Sequence, residues 1–391
     1  MGFMKNDALV RCLKRPRCFY GGCPIFFYTS PASFVIVPLC FKFFLRCCMQ
    51  ISCLILAAGK GTRMKSSLPK VLHPVFFQPM VCHVLAAVEQ LAVSQTIVVV
   101  GHQHERVQSA LAHYPVSFAV QTEQNGTGHA VQVCEQFVAG DADTVLILCG
   151  DTPLVRGQTL QAMIERHRAE ANVLSVMATE MADPTGYGRI VCDEAGQLLE
   201  IVEEKDATLK QRRIREVNAG IYLVDRNFLF KTLALLDTEN AQGEIYLTDI
   251  VGLARQRAVK AGRYICPDNR EILGVNSRQQ LAVAHDIKQQ EFFVALWDAG
   301  VTLQRPATLS VHPGTVIGAD TVIGANCSIR HNVRIGRRCD VGANTCIEES
   351  CLGDDVVVGP GSVLVGVRID AGNVLPAGTV RVSGEKGGSI L

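Results

Sequence analysis

The sequence predicts an α/β fold with a Rossmann-like, mostly parallel sheet, followed by a short left-handed parallel β-helix of hexapeptide repeats. Three observations carry that prediction. Ile51 to Ala58 is a continuous apolar run but for Ser52, like a strand buried on both faces of a parallel sheet, and a Gly-rich turn follows at once. Apolar strands at Thr96 to Val100, Val116 to Gln121, Thr144 to Leu148 and Asn172 to Ala178 then alternate with helical patterns such as Met80 to Leu91 and Thr127 to Phe137, as βαβ units do. After Gly300, apolar residues recur at every sixth position: Val311, Ile317, Ile323, Ile329, Ile335, Val341 and Ile347. The series slips by one residue and resumes at Leu352, Val358 and Leu364.

Residues 1–50 differ in style from the rest, with six cysteines, many Phe, few acids and breaks at Pro24, Pro31 and Pro38. The apolar stretch Phe34 to Phe44 is interrupted by Pro38 and Lys42 and is too short to span a bilayer. No clear cleavage site marks a secretory signal. The expectation is an extension of unknown role ahead of a natural start at Met49, with a membrane-associating arm as the alternative. Residues 51–280 form the sheet domain; within them Tyr187 to Glu204, turning at Glu194 to Gly196, reads as a hairpin over the strands' carboxyl ends, where such sheets bind ligands. Residues 281–300 are a linker, with one long helix from Leu281 to Ala299. Residues 301–382 carry the repeats: one inward apolar residue in six, often followed by Gly (Gly318, Gly324, Gly336, Gly342), is the pattern of a triangular coil built from three repeats. Such coils commonly assemble as trimers, so a homotrimer is expected. Residues 383–391 are a Gly-rich tail.

A chain of 391 residues can bury two domain cores. With 38 Lys and Arg against 37 Asp and Glu, it lacks the basic excess of a nucleic-acid binder, so an anionic ligand must be held by a local site. Cysteines such as Cys53, Cys82, Cys134, Cys149 and Cys192 lie singly in apolar runs, which reads as reduced, buried thiols of a cytoplasmic protein. The adjacent pair Cys47 and Cys48 has no His cluster nearby and cannot ligate zinc alone.

Chemistry concentrates at the junction Leu56-Ala57-Ala58-Gly59-Lys60-Gly61-Thr62-Arg63-Met64. Small residues let backbone N–H groups approach a phosphate, and the helix expected to follow would add its positive dipole end. Lys60, Arg63 and Lys70 bring three cations to the same loop. By itself this is also how a tight connection with a solvated basic edge looks, and the spacing fits neither the dinucleotide-binding nor the Walker loop. Asp151 stands just beyond the strand ending at Leu148, at the sheet's carboxyl edge. A carboxylate there can hold Mg²⁺, a hard cation that keeps several waters, or can simply cap a turn.

The stretch from Leu56 to Arg63, followed by Leu68-Pro69-Lys70-Val71-Leu72, resembles the opening motif of sugar-phosphate nucleotidyltransferases, specifically bacterial N-acetylglucosamine-1-phosphate uridyltransferases. Later segments resemble the same family in the same order: Gln121 to Ala130, Gly150-Asp151, Asp183 to Ile190, Ile201 to Glu203, Val217-Asn218, Ala241 to Glu244 and Gly274 to Asn276, together covering about residues 51–300. The resemblance implies that the backbone of Leu56, Ala57, Ala58 and Gly59 holds uridine while Arg63 and Lys70 neutralise triphosphate charge as the catalytic cations. It implies that Gln121, Gln124 and Gly126 read the uracil edge beside Thr127, and that Gly188, Glu203 and Asn218 hold the sugar. Asp151 and Asn276 are then the Mg²⁺ ligands. Read from the residues alone, Glu203-Glu204-Lys205 is equally a solvated charge run, and the glutamines equally loop caps.

The implied reaction is UMP transfer from UTP to N-acetylglucosamine 1-phosphate, giving UDP-N-acetylglucosamine and pyrophosphate for cell-envelope precursors. Two departures bear on the sugar: the family often has Tyr where this chain has Cys149, and Thr where it has Ala219. Another sugar 1-phosphate is therefore the first alternative acceptor. A non-catalytic nucleotide-binding subunit is the second alternative. No segment resembles the acetyltransferase site that bifunctional members carry in later coils, and His312 and His331 read as exposed loop residues, so uridyltransfer without acetyltransfer is expected.

Overall fold

A computed structural model describes residues 50–383; the expectations for residues 1–49 and for the tail beyond 383 lie outside the described residues. The eleven strands ahead of the repeats are β1 Ile51–Leu56, β2 Pro74–Val75, β3 Gln78–Pro79, β4 Gln95–Val100, β5 Ser117–Val120, β6 Thr144–Cys149, β7 Leu174–Glu180, β8 Arg189–Cys192, β9 Leu198–Val202, β10 Glu216–Asp225 and β11 Ala261–Ile265. The main sheet runs β11-β7-β10-β6-β1-β4-β5. β5, β4, β1 and β6 are mutually parallel, whereas β10 lies antiparallel between β6 and β7. The sequence reading missed β10 because its apolar run sits behind a motif read only as Val217-Asn218. The sheet is therefore mostly parallel with one inverted strand, and the β8–β9 hairpin hangs from β10.

Strand β1 is central because both its faces are apolar. Cys53 and Ile55 enter one cluster with Val81, Leu85 and Leu160, while Leu54 enters the other with Val131, Ile250 and Val251. Helices Met80–Val88 and Gly157–Ala169 thus cover one face, and Thr127–Gln132, Arg226–Leu233 and Asp249–Gln256 the other. The register sets Leu56 beside Val99 and Cys149, so β1, β4 and β6 end together, and the loops after them share one mouth.

The repeats form three parallel sheets of five, five and four short strands. Val311, Ile329, Ile347 and Leu364 stack in register on one side, each fully buried. The ladder begins one repeat earlier than the spacing predicts, at Thr302–Leu303. Corners fall at residues with positive φ, including Asp320, Asn326, Asn332, Asn344 and Asp355, a spacing set by the tolerance of Asn and Asp for the left-handed region. Gly324 has a different cause: a Cβ there would lie 2.5 Å from the Ala343 amide nitrogen of the next coil. Because Ile347 is 0 % exposed amid stacked neighbours, Ile347→Ala should destabilise the protein by about 2–5 kcal/mol, read as a lower midpoint in denaturant unfolding.

Helix Arg278–Asp298 starts three residues earlier than expected, at a Ser277 cap whose hydroxyl accepts from the Gln280 N–H at 3.2 Å. Ala284 packs with Phe76 and Val75 of the β2–β3 hairpin, and Phe293 and Leu296 join the repeat core.

Candidate active site

After β1 the chain is pinned on both sides: the Ala57 N–H donates to Val99 O at 2.8 Å and the Gly150 N–H to Leu56 O at 2.9 Å. Gly61 has φ of 60°, and a Cβ there would come within 2.6 Å of Lys70 Cβ, so glycine lets the loop lie against Lys70. Only a three-residue 3₁₀ turn, Thr62–Met64, follows. The helix dipole expected from the sequence is therefore absent, and positive charge at this loop comes from side chains.

Ten of the expected residues line one cleft of about 500 Å³: Leu56, Ala57, Ala58, Gly59, Lys70, Gln121, Gln124, Gly126, Thr127 and Asp151. Its far wall is stitched to a distant segment. Gly128 N–H donates to Ile245 O at 2.8 Å, Ile245 N–H to Asn125 O at 2.8 Å, and Leu247 N–H to the Thr127 hydroxyl at 3.1 Å. Gln121 is 4 % exposed and donates from its amide to Gly126 O at 3.1 Å. It holds the loop shape while still bordering the cleft, so the cap reading and the binding reading describe the same residue.

At the mouth, Lys70 binds the Asp151 carboxylate and donates to Asn276 Oδ1 at 2.6 Å. Arg63 donates to that same amide oxygen at 2.8 Å. The structure thus brings together all four expected charge-handling residues, although 213 positions separate Arg63 from Asn276. Asn276 is delivered by the segment before the long helix, where Val275 N–H donates to Asp151 O at 2.9 Å. Among the described residues no group of three or more His, Cys, Asp or Glu forms a metal cage. The donor set nevertheless suits Mg²⁺: two hard oxygens converge on the Lys70 ammonium, a positive charge standing where a cation is wanted, and Mg²⁺ commonly takes one or two protein ligands and completes its shell with phosphate and water.

Gly188, Glu203 and Asn218 gather beyond Cys149, beside the cleft lining. A Cβ on Gly188 would lie 3.6 Å from both Asn218 Cβ and a Glu203 carboxylate oxygen. Glu203 accepts from the Thr248 hydroxyl at 3.3 Å, and burial, outweighing that bond, raises its carboxyl pKa. The charge-run reading of Glu203 is thereby corrected: it is a half-buried carboxylate bonded to Thr248. Asn218 is oriented at both ends, donating to the Tyr222 hydroxyl at 2.7 Å and accepting from Gly220 N–H at 3.0 Å. Thr248 and Tyr222 carry no motif signal and were not legible in the sequence.

Cys149 and Cys192 are half-buried, against the expectation that both are core thiols, because Cys149 ends β6 at the cleft and Cys192 sits on the outlying hairpin. Burial, with help from the Asp151 charge, pushes the Cys149 thiol up to about 12, which disfavours a thiolate nucleophile. Ala219 is 6 % exposed in the apolar core.

Residues 53–217 match the MobA-like NTP transferase domain family, and residues 314–349 match six bacterial transferase hexapeptide repeats. The bifunctional protein GlmU of Desulfotalea psychrophila is 44 % identical over 327 residues, covering 84 % of this chain and 96 % of that protein. The bifunctional protein GlmU of Heliobacterium modesticaldum is 47 % identical over 315 residues, covering 81 % of this chain and 68 % of that one. This chain belongs to the GlmU family. The NTP-transferase match takes in the Gly-rich loop, Lys70, Asp151, Gly188 and Glu203 and stops short of Asn218 and Asn276. As a GlmU member, the chain is a nucleotidyltransferase with a repeat region attached.

Proposed function

We propose that this chain transfers UMP from UTP to N-acetylglucosamine 1-phosphate, releasing pyrophosphate and forming UDP-N-acetylglucosamine. The observation that carries the reading is the convergence of Arg63, Lys70, Asp151 and Asn276 at the rim of the Gly-rich cleft. Leu56 to Gly59 offer main-chain groups to the uridine, and Gln124 and Gly126 face the uracil edge, whose carbonyls and single N–H an amide can pair. Gly188, Glu203 and Asn218 take the sugar, Glu203 accepting from its hydroxyls.

A phosphate oxygen of the sugar 1-phosphate attacks the α-phosphorus in line, and the bond to the bridging oxygen breaks as pyrophosphate leaves with the electron pair. No protein nucleophile is needed. Lys70 and Arg63 hold the triphosphate and counter the charge that builds on its oxygens. Mg²⁺, held by Asp151 and Asn276 when bound, supplies a further charge clamp on those oxygens.

Residues 51–280 act as the catalytic domain, 281–300 as the linker, and 301–382 as an assembly element that joins three copies. Among the described residues no helix is long and apolar enough to cross a membrane, and we place the enzyme in the cytoplasm with its soluble substrates. The test is pyrophosphate release from UTP across a panel of sugar 1-phosphates. N-acetylglucosamine 1-phosphate should give the highest kcat/KM; a higher value with glucose 1-phosphate would reassign the acceptor, and no release with any sugar would leave only a nucleotide-binding protein.

A further inference from the structure

Beside the sugar-facing residues lies an ion pair that the reaction does not use. Arg189 is 1 % exposed, among the largest fully buried side chains in the protein, and Glu204, its partner at 2.6 Å, is 28 % exposed. Burying a guanidinium this completely costs too much to serve as filler, and a surface charge run would leave both groups in water. The bonds radiating from the pair all end on one short stretch of backbone. Arg189 donates to Tyr187 O, and the same Glu204 oxygen that takes Arg189 accepts from Gly186 N–H at 3.2 Å. At the next residue, Gly188 O accepts from Asn218 N–H at 2.9 Å. Three consecutive residues, 186 to 188, are therefore tied by side chains and by β10.

Glu204 also follows Glu203 directly, so anchoring one fixes the other's backbone. Burial raises the Glu204 carboxyl, but the bonds from Arg189 and Gly186 outweigh it and hold the group below the ordinary range, so it remains an acceptor for both. Arg212 approaches its outer oxygen at 3.8 Å and adds charge without a hydrogen bond.

We infer that Arg189 and Glu204 are positioning residues for the acceptor sugar: their ion pair fixes the 186–188 peptide and the Glu203 backbone in the geometry that receives the sugar 1-phosphate. The inference rests on the reading of Gly188, Glu203 and Asn218 as the sugar pocket. Neither residue lines the nucleotide cleft, so its loss should act on one substrate and spare the other.

The experiment measures kcat and both KM values for Glu204→Ala, Glu204→Gln, the double variant Arg189→Met with Glu204→Leu, and Asn218→Ala, with thermal melts for each. Glu204→Ala should raise KM for the sugar 1-phosphate about 10-fold while KM for UTP stays within about twofold. Glu204→Gln, which keeps an acceptor oxygen, should recover most of the loss. Removing one partner strands a buried charge and can unfold the protein, whereas replacing both with apolar residues of similar volume is often neutral for stability. The double variant should therefore melt like the parent yet keep the raised sugar KM. A folded double variant with both KM values unchanged, or with both raised together, overturns the inference. If Asn218→Ala raises the sugar KM and the Glu204 variants do not, only the positioning role fails. If Asn218→Ala leaves it unchanged as well, the sugar pocket itself is misassigned and this inference falls with it.

Discussion

Lys70→Met should lower kcat by about 100- to 1,000-fold, by analogy with removal of one preorganised donor to a developing oxyanion, and should make the nucleotide-free protein bind Mn²⁺ more tightly. The two effects have opposite signs because Lys70 has two jobs. With nucleotide bound, as proposed, its ammonium faces the triphosphate. In the structure the ammonium closes on Asp151 and Asn276, the two oxygens proposed for a divalent ion, with the Lys70 and Asp151 side chains only 12 % and 20 % exposed. A divalent ion held by Asp151 and Asn276 would have to displace that lysine and bear its repulsion, whereas a bound triphosphate would draw the lysine away from both oxygens. Removing a competing contact worth about 1.4 kcal/mol corresponds to about 10-fold tighter binding. Mn²⁺ titration followed by electron paramagnetic resonance, without UTP, reads it directly. Asp151→Asn should move the same titration the other way and also depress kcat. Unchanged or weaker Mn²⁺ binding in Lys70→Met would remove the lysine from the metal-ligand pair.

The parts legible in the sequence were those with a local pattern. β1 and the Gly-rich loop were visible because an apolar run and its small residues are contiguous, and the coil core was visible because Ile317, Ile323 and Ile329 repeat at a fixed interval. The corner residues repeat at the same interval, so Asn326, Asn332 and Asn344 could also have been read in advance from their tolerance of positive φ. Contacts created by topology alone were not legible. Inverted β10 brings Asn218 to Gly188, and helix Asp249–Gln256 is entered through Thr248, which meets Glu203; no spacing in the chain announces either meeting. The loop after β1 misled for a local reason. A Gly-rich turn usually opens a helix, but Gly61 and Lys65 both adopt the left-handed region and confine the turn to Thr62–Met64.

Gly126→Ala tests the base side of the cleft and should raise KM for UTP by about 100-fold, on the scale of a displacement of about 1 Å in a positioning element. Two costs coincide at this residue. Its φ of 103° lies where side chains are rarely accommodated, and an added Cβ would stand 2.5 Å from Ile245 O and 2.9 Å from Glu244 Cβ. Ile245 cannot yield easily, because its own N–H is bonded to Asn125 O and its carbonyl takes the Gly128 N–H. The loop carrying Gln124 and Thr127 must therefore move instead, taking with it the Gly126 carbonyl that anchors Gln121. The proposed sugar 1-phosphate pocket meets the stitched segment at Thr248, whose hydroxyl donates to Glu203, and shares none of the loop that must move, so its KM should change less than that of UTP. Steady-state kinetics with each substrate varied in turn separates the two sites; a rise in sugar KM with UTP KM unaltered would place uracil elsewhere.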